Sequence, residues 1–213
     1  MENNFNYFNI FYIALLVGTI GDLLIPFIIA PFYKGYNHLK MVMSLLGNSN
    51  FNYHYIYNIW LIIAGCFIFI GGFKLYFDVL HISNVLSLIL LIFISIFAIG
   101  ACILSGIFSV EESKDLSSLS SKIHGFGSVF GFLSLLFTPL VLGLLSFKDS
   151  NFINGFVFIF CFILAFIFFV LFIMSDKPKF KSSIISYEGL WQRLSLLFMY
   201  FPIIIFSFEK IFD

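Results

Sequence analysis

The chain has 213 residues, of which 61% are hydrophobic, 21% aromatic and only 10% charged, against the ~25% charge of an ordinary globular domain. Lys and Arg at 11 cancel Asp and Glu at 11, so the basic footprint of a nucleic-acid binder is absent. The apolar excess excludes disorder, and too few charges remain to clothe a soluble domain.

A bilayer-crossing helix needs about 20 mostly apolar residues. Six stretches of this kind occur, running approximately over residues 8–29, 55–76, 86–108, 125–145, 152–173 and 190–206. They are too long for strands, and the alternating pattern of a membrane barrel is missing. The expected fold is therefore all-α, an integral membrane bundle of six transmembrane helices forming a single domain over residues 1–213.

The segment before the first span, MENNFNYFNI, lacks the basic region and cleavage site of a signal peptide, so that span is expected to be retained. Inside it lies Asp22, an ionisable group at membrane depth and hence a functional candidate. Gly18, Asp22 and Pro26 recur every four residues and share one helical face. Pro26 also has no N–H to offer the Asp22 carbonyl. That face is expected to point into the bundle.

The following loop supplies Tyr36, Asn37, His38 and Ser44, and His54 precedes the second span. Glu111 and Glu112 follow the third span. His124 opens the fourth, on the face of the Gly127/Gly131 pair, whose spacing permits close helix contact. Arg193, the only arginine, lies about one turn into the sixth span. Its planar fork suits a carboxylate or phosphate in a way that lysine does not. Cys66, Cys102 and Cys161 sit alone in separate apolar runs, which signals neither disulfide nor metal knuckle.

With six spans, the loops near residues 40, 116 and 180 share one side. That side carries Lys34, Lys40, Lys114, Lys122, Lys177, Lys179, Lys181 and Arg193, against Lys74, Lys148 and Lys210 on the other. The positive-inside rule places those three loops in the cytoplasm and both termini outside, in a multi-pass cell-membrane protein. The same side gathers the titratable groups. Ser44, His124, Arg193 and one of Glu111 or Glu112 are expected to converge there as a polar cluster at one mouth of the bundle.

The run PFYKGYNHLKMVMSLLG, followed by IYNIWLIIAG, resembles the bacterial and archaeal six-span family catalogued as domain of unknown function 998. The resemblance rests on Ser44, Leu46 and Gly47, on Gly106, Phe108 and Glu111 or Glu112, on His124, and on Gly189, Trp191 and Arg193. It implies a six-span topology over the whole chain. Leu45 stands where the family usually has an acidic residue, and Ser109 and Val110 replace a proline and aspartate.

The functional expectation is a non-catalytic envelope protein that binds a lipid or partner at the polar mouth. One alternative is a metal-dependent intramembrane lipid hydrolase using His124 and Glu111 or Glu112, with His38 and His54 as further ligands. No HxxxH pair supports it, however. A small-solute transporter is the second alternative, without the paired repeats usual there. No cofactor is called for. Membrane lipids are the expected partners, with a second copy or another membrane protein as further candidates.

Overall fold

The computed structural model describes residues 9–108 and 118–212. No strand occurs among them. Among the described residues six helices are long and apolar enough to cross a membrane: α1 (Asn9–Phe32, closing in a 3-10 turn), α2 (His54–Val79), α3 (Asn84–Ile107), α4 (Leu119–Lys148), α5 (Phe152–Ser175) and α6 (Glu188–Phe212). At 1.5 Å per residue even the 24-residue α5 reaches ~36 Å, more than the ~30 Å hydrocarbon thickness. The outward faces keep large apolar side chains such as Ile28, Phe77, Phe156 and Ile163 exposed, as lipid contact requires.

The helix ends differ from the apolar runs because polar residues extend them past the hydrophobic edge. The fourth helix starts at Leu119 with Ser118 as its cap, so His124 lies more than a turn inside it and does not open it. The Ser118 side chain accepts from the Ser121 N–H, which satisfies one otherwise orphaned donor. The α4–α5 turn is tight: Ser150 takes φ 60° and the Asn151 side chain accepts from the Asn154 N–H.

Each helix packs on its sequence neighbours, and α6 returns to α1 to close the ring. Tyr12, Leu15, Ile68, Leu90, Leu135 and Phe158 are fully buried in the centre. Small residues set the closest approaches. A Cβ on Gly100 would lie 2.6 Å from the Gly127 carbonyl oxygen, and one on Gly127 equally close to the Gly100 oxygen. Backbone meets backbone at this α3–α4 seam, with Gly131 against Ala101 one turn on.

At that seam, α3 is wound as a π-helix over Phe97–Leu104. Its carbonyls are shifted relative to an α-helix, and the Ser105 hydroxyl donates back to the Gly100 carbonyl, five residues earlier, at 3.2 Å. Such segments concentrate at functional sites.

Candidate functional site: a cavity inside the helix ring

The ring encloses a cavity of about 510 Å³, to which all six helices and the 42–45 loop contribute. Its walls are mainly apolar, with Leu61, Phe97, Phe132, Phe169 and Leu196 among them. A few convergent polar groups in an apolar hollow are the usual form of a small-molecule site.

Ser44, Ser121, His124, Glu188 and Gln192 line the end nearest the 40 and 180 loops. The 3-10 turn Met43–Gly47 brings Ser44 there. It is pinned by the Met43 N–H, which donates to the buried Gln192 Oε1 at 2.7 Å. His124 is 6% exposed, and its Nδ1 lies 2.9 Å from the Phe108 carbonyl oxygen. A carbonyl only accepts, so Nδ1 carries the proton; in the neutral form of the ring Nε2 is then an acceptor. That bond ties α4 to the end of α3. Ser105 and Ser128 are linked at 3.1 Å across the same two helices.

Asp22 lines the inner end. Gly18, Asp22 and Pro26 are all buried on one face of α1. The Tyr200 hydroxyl donates to Asp22 Oδ2 at 2.8 Å, whereas Asp22 Oδ1 is buried without a hydrogen-bond partner among the described residues. Tyr200 carries no motif; a lone tyrosine in an apolar run, two residues before Pro202, was its only signal.

Arg193 is 9% exposed and does not line the cavity. Its Nη1 donates to the carbonyls of His38 (2.8 Å), Gly189 (2.8 Å) and Met41 (3.2 Å), and its Nη2 to the Tyr36 hydroxyl at 2.6 Å. The guanidinium also lies 5.6 Å from the Phe27 ring centroid. Among the described residues its partners are backbone carbonyls and a phenol and not a carboxylate, since a planar fork with five donors can hold a whole turn of backbone at once. Gly189 permits this: a Cβ there would sit 2.3 Å from the Met41 carbonyl oxygen. Arg193 is thus a clamp on the first loop, beside the cavity mouth. Partial burial, and secondarily the adjacent Arg193, holds the His38 imidazole below its usual range. Burial pushes the Tyr36 phenol up, with Arg193 opposing it.

Of the expected cluster, Ser44 and His124 border one cavity, Arg193 stands apart, and Glu111 and Glu112 lie outside the described residues. Glu188 and Ser121 belong to the mouth instead, brought in by the early starts of α6 and α4, together with Gln192 from the first turns of α6. The histidines of the metal alternative have separate partners: His38 lies beside Arg193, His54 Nδ1 bonds the Phe51 carbonyl, and His124 bonds that of Phe108. Among the described residues no three His, Cys, Asp or Glu side chains are grouped as metal ligands would be.

Near their shared turn, α4 and α5 are in tight contact, a Cβ on Gly155 falling 2.5 Å from the Phe147 ring. Toward the other end, Val129, Leu133 and Ile173 line the cavity while being 55%, 38% and 50% exposed. The cavity wall is there also the outer face of the bundle, with Phe132 and Phe172 stacked across the cleft at 6.4 Å between centroids.

The profile of a family described as "Protein of unknown function (DUF998)" matches residues 16–209. No curated protein and no solved structure matches the chain.

Proposed function

The chain belongs to this family of proteins of unknown function, and we propose that it binds a lipid or lipid-like molecule in the cavity of its helix ring, without catalysing a reaction on it. The observation that carries the reading is the cavity itself: about 510 Å³, apolar along its walls, and polar where the 40 and 180 loops meet it. A hollow of this composition suits an elongated apolar molecule with one or two hydrogen-bonding groups. The α4–α5 cleft offers a path from the hydrocarbon layer that avoids water. Such a route suits a ligand that is itself dissolved in the membrane.

The polar mouth faces the cytoplasm in this proposal, since eight of the 11 basic residues flank that side.

The test is mass spectrometry of lipids retained by gently purified protein, beside a Ser128→Trp variant that fills the cavity between α3 and α4. A lipid-like molecule present in near-stoichiometric amount in the wild type and lost in the variant is the expected result. Equal retention by both, or retention by neither, overturns the proposal.

A further inference from the structure

The polar groups of the cavity specify more than amphipathic character. Among the described residues lining it are two carboxylates, Asp22 and Glu188, and no lysine or arginine. An anionic headgroup would meet no counter-charge from these residues deep in the cavity, where a buried ion bears its full desolvation cost. The occupant is therefore uncharged or cationic.

The inner end narrows the choice. Asp22 is 3% exposed, lines the cavity, and has only one oxygen engaged, by Tyr200. Its Oδ1 has no partner among the described residues. Buried polar groups in folded proteins are overwhelmingly paired, so an orphan on a cavity wall marks where a ligand's polar atom goes. Asp22 lies ten residues before the end of the first span at Phe32, or ~15 Å along the axis. The matching group of the ligand is thus carried deep into the bundle.

We propose that Asp22 is the specificity residue for a hydroxyl group, and that the ligand is a neutral, hydroxyl-bearing apolar molecule of the fatty-alcohol or monoacylglycerol type. This rests on the reading of the cavity as a lipid site. A hydroxyl both donates and accepts, so it satisfies Asp22 whether the carboxyl is ionised or protonated. An ammonium can only donate, and it would give up its hydration for one carboxylate within apolar walls.

The test compares 1-tetradecanol, its methyl ether and 1-tetradecylamine for binding to the delipidated full chain in detergent, read by native mass spectrometry. The wild type is expected to prefer the alcohol over the ether by about tenfold, the worth of one hydrogen bond. Tyr200→Phe keeps Asp22 and should keep the preference. The double variant Asp22→Leu/Tyr200→Phe removes both partners, leaves neither orphaned, and should bind alcohol and ether alike. Equal binding of alcohol and ether by the wild type overturns the inference, as does tighter binding of the amine or a preference that survives in the double variant.

The retained ligand gives a second readout that depends on no variant. Co-purifying molecules should carry a free hydroxyl, and recovered ligands without one overturn the inference while leaving the lipid site standing. Retention of no lipid, with binding of no probe, removes the lipid site and the inference together.

Discussion

The Tyr200 hydroxyl donates to Asp22 Oδ2 at 2.8 Å, joining α6 to α1 across 178 residues of sequence. Both side chains are buried, so the bond closes the helix ring at membrane depth. The first and last spans are held together lower down by the Asn9 side chain, which donates to the Ile211 carbonyl. The ring is therefore latched along one seam by polar contacts, in a medium where apolar surface alone gives little driving force for helix association.

This latch predicts a specific pattern of stability. Tyr200→Phe should cost ~1–3 kcal/mol, because it leaves a second Asp22 oxygen buried and unpaired. Asp22→Leu should cost a similar amount by orphaning the tyrosine hydroxyl. The double variant should be more stable than the sum of the two losses implies, since both polar groups are then gone. Thermal unfolding in detergent of the four proteins reads the coupling; strict additivity would show that the bond contributes nothing.

Arg193→Lys should behave almost as badly as Arg193→Ala. One ammonium cannot reach the His38, Met41 and Gly189 carbonyls and the Tyr36 hydroxyl together. Each buried acceptor left unpaired costs ~1–3 kcal/mol. Limited proteolysis should accelerate within residues 33–42 in both variants, while α5 stays protected. Wild-type resistance of that loop in Arg193→Lys would show that charge, and not the fork, holds it.

Acidification should loosen the same loop. The His38 imidazole is held below its usual range by partial burial, then by Arg193. A base whose folded-state value is depressed binds fewer protons folded than unfolded. Its contribution is intact above the unfolded value of ~6.5 and is lost as pH falls below it. The thermal midpoint should drop between pH 7 and pH 5 in the wild type. In His38→Gln the drop should be smaller, and an unchanged pH profile in that variant would rule His38 out as the titrating group.

Gly100→Ala and Gly127→Ala should each destabilise the α3–α4 seam. The added methyl would stand 2.6 Å from a backbone oxygen of the facing helix, and backbone cannot step aside as a flexible side chain does. Overpacking of this kind costs ~1–3 kcal/mol. Gly35→Ala, in an open loop with nothing near its Cβ, is a control for space; its φ of 85° still imposes a backbone cost. Variants of Gly100 and Gly127 with unaltered thermal midpoints would contradict the close contact.

The proposed orientation is checked by cysteine labelling in a cysteine-free background. An impermeant reagent on intact cells should label Asn151→Cys and leave Ser118→Cys unmodified. The reverse pattern would turn the molecule over.

The six spans were legible in the sequence because each is encoded locally: a run of apolar residues long enough for the bilayer must be a helix, whatever it packs against. The inward face of α1 was legible for the same reason, since the spacing of Gly18, Asp22 and Pro26 repeats with the helix and needs no partner. Helix ends were not, because polar residues such as Ser118 and Glu188 extend a helix without adding to its apolar run. Which polar group meets which was also hidden. Arg193 invited a carboxylate by its chemistry, yet the fold laid the His38 and Met41 carbonyls over Gly189 within its reach. Asp22 has Tyr200 only because α6 packs back on α1 with that face turned inward. The cavity belongs wholly to the tertiary structure, for its lining is drawn from all six helices and the 42–45 loop. Periodicity along a chain encodes which face of a helix is inside; how far apart the insides stand is settled by the side chains of all six helices at once.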